Sequence, residues 1–213
     1  MFKKIIAIAM SFCLVVVAQS YFGQTLASSE QTKNISSRAR EIILKAYPDL
    51  IKIVKEGMKD SELEQFAKDY VDLDVISKTM CGINNEELKT LLLKYFVFRF
   101  KSKALKSVND YELVNKMRII DNTKFVIAKC LLQSKKDSND RTPMIVRMLK
   151  KGGKIEKFCE LTILSIPLVD GARVIAEKFF AANGIKIKEK KGKEKVALYC
   201  KALKDFLDKK HEK

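Results

Sequence analysis

From Tyr111 to Ile163 the apolar residues fall at every second position, in four segments divided by turn signals, and this period-two stretch restricts the chain to folds built on an antiparallel sheet. The spacing predicts strands over about 111–121, 124–134, 142–150 and 154–163. Lys151-Gly152-Gly153-Lys154 reads as a hairpin turn, Asp121-Asn122 as a second tight turn, and Asp137 to Asp140 as a polar loop. Read at alternate positions, one face of this meander carries Tyr111, Leu113, Met117 and Ile119, then Val126, Ala128, Cys130 and Leu132, then Met144, Val146 and Met148, and last Cys159, Leu161 and Ile163. The other face carries Glu112, Lys116, Arg118, Lys129, Arg147, Glu156 and Glu160, together with Phe125, Ile127 and Ile145. A sheet with one apolar face must be covered.

Helical periods on either side supply the cover. Ala39, Ile42, Ile43, Ala46, Leu50, Ile53 and Val54 keep helical spacing around Pro48, which predicts two helices or one bent helix after a polar, disordered stretch from Ser28 to Ser37. Ser61 with Glu64 reads as a capping box, Asp72 or Asp74 as the cap of the next helix, and Gly82 as its stop. From about Asn85 to Leu105 the pattern is apolar nearly all round, with Lys94 the only polar residue between 91 and 98. Such a helix is either a central core helix or one wall of a site whose ligand supplies the missing apolar surface. Pro167 opens a helix ending at Asn183-Gly184, a lysine run covers Lys186 to Lys195, and a terminal helix spans Val196 to Leu207.

The amino terminus has the pattern of an export leader: Lys3 and Lys4, then an apolar run from Ile5 to Ala18. That run is too short for a membrane span, which needs roughly 20 apolar residues. Cleavage is expected between Ser20 and Ala27, with the site after Ala27 preferred, placing the mature chain in the periplasm. With a net charge of +16, three prolines and eight glycines, the chain reads as one basic domain without an internal linker. Basic charge admits anionic lipid headgroups or nucleic acid as partners, but export argues against nucleic acid.

Chemistry is sparse. His211 is the only histidine, so a serine or cysteine nucleophile lacks its usual base, and Cys81, Cys130, Cys159 and Cys200 have no metal-site spacing. Those four cysteines lie in apolar stretches, where disulfides and buried free thiols both remain open. Cys130 with Cys159 is disfavoured because one strand separates them, while Cys81 with Cys200 is open. Gly152-Gly153 opens no helix and is no phosphate loop. The reading is a binding protein with no metal and no cofactor; a small-molecule enzyme or ligand-binding module on the same fold is the alternative. A third reading is a basic module that binds an anionic surface through residues 186–213.

The order of helices, meander and helix carries a resemblance. Val71-Asp72-Leu73-Asp74 with Ile76, Lys78 and Gly82, then Asn85-Glu86-Glu87, then Pro143 to Arg147, Gly152-Gly153, Lys157-Phe158, Glu160-Leu161, Ile163, Ile166-Pro167-Leu168-Val169 and Arg173 resemble the MlaC, or toluene-tolerance, family of periplasmic phospholipid-binding proteins. The resemblance spans roughly residues 35 to 185. Three positions depart from it: the last strand has no tryptophan, Glu160 stands where an aspartate is usual, and Ala172 where a tyrosine commonly precedes the arginine.

The resemblance implies an α+β, NTF2-like fold in which a four-stranded antiparallel meander packs against several helices and acyl chains lie between sheet and helices. It implies a monomeric carrier moving phospholipid between inner and outer membranes, with an outer-membrane lipoprotein complex and an inner-membrane ABC-type lipid transporter as partners. The domain plan is a leader over 1–27, a lipid-binding domain over 28–185 and a lysine-rich extension over 186–213. Candidate acyl-chain contacts are Leu92, Phe96, Leu113, Met117, Ile119, Val126, Ala128, Met144, Val146, Met148, Leu161, Ile163 and Val169. A tunnel of several hundred Å³ under the meander is the expectation for a lipid. Lys94, Arg99, Lys101 and Lys103 would face anionic headgroups or acidic partner surfaces, or solvent.

Overall fold

The computed structural model describes residues 34–101, 107–164 and 166–211; the leader and Lys103 lie outside them. Helix α1 runs unbroken over 34–55. It begins inside the stretch expected to be disordered, because Ile35 is buried and anchors its first turn. Nor does Pro48 divide it. The proline removes the amide that would bond the carbonyl of Leu44, but Leu44 is 44% exposed, and water can satisfy that carbonyl on the solvent side.

Three short helices follow. Helix α2 is Asp60–Tyr70, with Lys59 at its N-cap and no side-chain cap bond, so the Ser61 capping box does not form. Helix α3 is Leu73–Cys81, capped by Asp72, whose Oδ1 accepts from the Val75 amide, and closed by Gly82 at φ 83. Helix α4 is Glu86–Phe100, capped by Asn85. Its buried residues, from Leu88, Leu91 and Leu92 to Tyr95, Phe96, Val97 and Phe100, run around most of its circumference.

The sheet is a mostly antiparallel, open meander of β1 Tyr111–Asp121, β2 Phe125–Ser134, β3 Arg141–Leu149, β4 Phe158–Ile163 and β5 Ile166–Pro167, in that spatial order. It is therefore larger than the expected four strands. After Leu164, at φ 50, the chain folds straight back, pairing Ile166 with Ile163 and Pro167 with Thr162. Pro167 thus sits on an edge strand, where its missing N–H leaves no ladder bond unmade, and helix α5, Asp170–Ala182, starts three residues later than expected. A sixth segment joins through one residue: Val71 bridges Phe158 in parallel, and the Asp72 amide donates to the Phe158 carbonyl at 2.7 Å.

The hairpin at Lys151 and Lys154 forms as expected, but regular pairing counted on from it, which would set Cys159 opposite Val146, does not. Cys130 pairs with Met144, and Val146 pairs with Leu161 rather than Cys159, because β4 carries a bulge opposite Arg147 and Met148. A bulge changes which residues face the core. Cys159 is left half-exposed, its thiol donating to the Arg147 carbonyl, whereas Glu160, expected on the solvated face, is 5% exposed. All four described cysteines are free thiols.

Helix α6, Gly192–His211, is longer than the expected Val196 to Leu207. It packs on α3, α4 and α5, joining the lysine-rich carboxy-terminal segment to the same body.

Candidate functional site

Beneath the meander, α1 and α2 face β3 and β4 across a narrow apolar cavity. Helix α1 contributes Ile43, Ala46, Tyr47 and Leu50, a stripe at i, i+3, i+4 and i+7; α2 adds Phe66; β3 adds Met144 and Val146 from alternate positions; β4 adds Phe158, Leu161 and Ile163. No charged side chain enters this lining. The free space is only about 10 Å³, room for no more than a single water. The expected tunnel of several hundred Å³ under the meander is therefore not open: side chains from helices and sheet fill the space, far below the roughly 300 Å³ at which small-molecule pockets start.

The polar tips of the surrounding aromatics are turned away from the cavity and bonded elsewhere. The Tyr47 hydroxyl donates to the Tyr111 carbonyl at 3.1 Å, and burial, with Glu112 nearby, pushes its pKa up to about 12. Tyr70 donates to Asp49 while its ring stacks on Phe158, centroids 6.1 Å apart. Phe66 is backed by Phe96 and Phe100 at 6.3 and 5.9 Å. The walls are therefore hydrocarbon with satisfied hydroxyls behind them.

Of the residues expected to touch an acyl chain, Met144, Val146, Leu161 and Ile163 line this cavity. Leu92 and Phe96 are buried on α4, and Val126, Ala128 and Met148 under the middle of the sheet. Val169 is buried at the start of α5, while Leu113, Met117 and Ile119 on the edge strand β1 are only partly buried against the core. The helical wall was not anticipated, although the stripe Ile43, Ala46, Tyr47, Leu50 is visible in the sequence once α1 is read through Pro48.

Glu160 forms a second buried feature, outside the cavity. Its Oε1 accepts from the amides of Leu161 and Val169 at 2.9 and 3.2 Å, and its Oε2 from Asp170 at 2.5 Å, so it ties β4 to the first turn of α5. Burial, then the Asp170 carboxylate, push its pKa up to about 7, while the three amides pull the other way. Nearby, the buried Tyr95 hydroxyl has no hydrogen-bond partner among the described residues.

Neither a family model nor a curated protein matches this chain.

The basic residues expected at the end of α4 surround an open groove floored by Leu91, Val97, Phe98 and Leu207. Lys94 and Arg99 lie at its rim with Lys101, which pairs with Asp60, and with Lys204, which pairs with Glu87 at 2.5 Å. Asp60, Glu64 and Asp208 share the same rim, so the groove is mixed in charge. Among the described residues, no group of three or more His, Cys, Asp or Glu is placed to hold a metal ion, and no helix is long and apolar enough to cross a membrane.

Proposed function

We propose that this chain is an exported, noncatalytic carrier that takes an acyl chain of a phospholipid between α1 and α2 on one side and β3 and β4 on the other. The observation that carries the reading is the cavity lining: ten residues from four elements, without a charged group, at the place where a meander meets its covering helices. Such a site has affinity for hydrocarbon and little means of orienting a polar substrate.

An acyl chain needs far more room than about 10 Å³, so loading requires α1 and α2 to move away from the sheet. Met144 in the lining is suited to this, since an unbranched thioether repacks around irregular chains at low cost. The collinear residues described above support an NTF2-like fold of the MlaC type, working as a monomer in the periplasm between an outer-membrane lipoprotein complex and an inner-membrane ABC-type lipid transporter. Glu160, the one buried carboxylate among the described residues, faces three backbone amides rather than the cavity, which supports a noncatalytic role over a small-molecule enzyme.

Lipid mass spectrometry on protein purified natively, with transfer from labelled vesicles, tests the proposal. Stoichiometric phospholipid is the expected result; protein that neither co-purifies with phospholipid nor accepts it from vesicles would falsify it.

A further inference from the structure

The outward face of the sheet has an unusual charge arrangement. Arg118 of β1 and Lys129 of β2 are direct partners in the antiparallel register, and both are exposed. Like charges placed directly opposite each other destabilise a sheet, yet neither has an acidic partner within 4.0 Å among the described ion pairs. On the next strand Arg147 pairs in register with Ile127, and its guanidinium lies 6.0 Å from the centroid of the Phe125 ring. Lys116 and Arg141 complete the basic positions on this side of β1, β2 and β3, where Glu112 is the only acid.

Some cations elsewhere in the molecule are paired. Lys89, Lys101, Lys190, Lys204 and Lys209 on the helical side, or just before it, each pair with a carboxylate. Exposed cations without an ion pair occur on the helical side too, Lys45, Lys78, Lys94 and Lys178 among them; what sets the sheet apart is that its cations stand on adjacent strands and alternate with apolar side chains: Ile127 and Leu131 on β2, Ile145 on β3, and Phe125, which is 37% exposed. Arg118, Lys129 and Arg147 lie on three adjacent strands, a span of about 10 Å.

We propose that this open face of the sheet docks on an anionic phospholipid bilayer. Cations without internal partners meet headgroup phosphates, and the interleaved apolar side chains and Phe125 enter the boundary between headgroups and acyl chains. Nucleic acid fits less well, because this face offers a single ring for base stacking. The inference stands on the sheet surface and is independent of what the cavity holds.

Co-sedimentation of the full mature chain with vesicles rich in phosphatidylglycerol, compared with phosphatidylcholine alone, tests it. Binding is expected only to the anionic vesicles and is expected to weaken as salt is raised. Arg118→Glu/Lys129→Glu/Arg147→Glu should lose about tenfold or more in vesicle affinity. A control with the same change in net charge, Lys188→Glu/Lys191→Glu/Lys193→Glu, should lose much less. Arg118→Gln/Lys129→Gln, which relieves the repulsion and so keeps the fold, should show a partial loss, and Phe125→Ala a further loss that salt does not mimic. Equal losses in the sheet and control variants, no preference for anionic vesicles, or tight binding to single-stranded DNA without vesicle binding would each overturn the proposal.

Discussion

Phe206 of α6 meets Phe98 of α4 edge to face, with ring centroids 5.5 Å apart and an interplanar angle of 84°. The same Phe206 ring lies 5.9 Å from Tyr95 one turn away. Helix α4 is apolar on nearly every side, and α6 is what covers its second face. The lysine-rich segment therefore belongs to the core. Phe206→Ala is expected to lower stability by about 2 kcal/mol, combining lost burial with lost ring contacts, as read by urea denaturation. Truncation before Gly192 would uncover α4 altogether and should yield aggregating protein; a soluble truncated chain with an unchanged midpoint would contradict this account.

Much of this was legible because it depends on local pattern. Alternation placed β1 to β3 within a residue or so, and Gly82 as a stop and Asp72, one of two candidate caps, were readable because capping is a local geometric need. What the pattern did not show were the effects of tertiary contacts. Pro48 remains helical because Leu44 faces water. Glu160 keeps its place opposite Arg147 and is buried because the first amides of α5 lie over it and need an acceptor. The ligand-wall alternative for α4 could not be weighed from periodicity, since a covering helix and a bound chain satisfy the same apolar stripe. The cavity was half legible: its sheet wall follows from alternation, but its helical wall depends on which stripe of α1 docks.

Glu160 gives a pH dependence whose sign can be worked out. Its pKa in the folded protein is about 7, above the ordinary 4.5, so between these values the native state binds more protons than the unfolded chain. Its contribution to stability is then full below about 4.5, falls as pH rises through the window, and is lost above 7, a change of at most about 3 kcal/mol. Urea midpoints at intervals across that range should show this slope in the native sequence. Glu160→Gln should flatten it, because the amide retains one acceptor but does not ionise. An unchanged slope in the variant would assign the dependence to other groups.

Tyr95 and Gly171 form a coupled pair. A Cβ at Gly171 would fall inside van der Waals contact with Tyr95 Oη, so Gly171→Ala should cost about 1–3 kcal/mol through overpacking. The same hydroxyl is buried without a hydrogen-bond partner. Tyr95→Phe should therefore be neutral or stabilising by about 1 kcal/mol, since it removes an unsatisfied polar group. In the double variant much of the Gly171→Ala cost should disappear, giving a coupling of about 1 kcal/mol or more by chemical denaturation. Strictly additive effects would show that helix α5 shifts to accommodate the methyl.

Filling the cavity separates a binding role from a packing role for its lining. Val146 lies on β3 with its side chain in the lining, flanked by Met144 two residues before it and by Leu161 on the neighbouring strand. Val146→Phe forces a ring into a site with only about 10 Å³ free, so the substitution should cost about 1–3 kcal/mol through overpacking. If α1 and α2 open over β3 and β4 to admit an acyl chain, the ring occupies the chain's place, and co-purifying phospholipid should fall severalfold while the fold persists by circular dichroism. Met148→Leu, at a buried position on the same strand outside the lining, should keep its lipid at a cost below about 1.5 kcal/mol. Equal lipid content in both variants would place the bound chain somewhere other than beneath the meander.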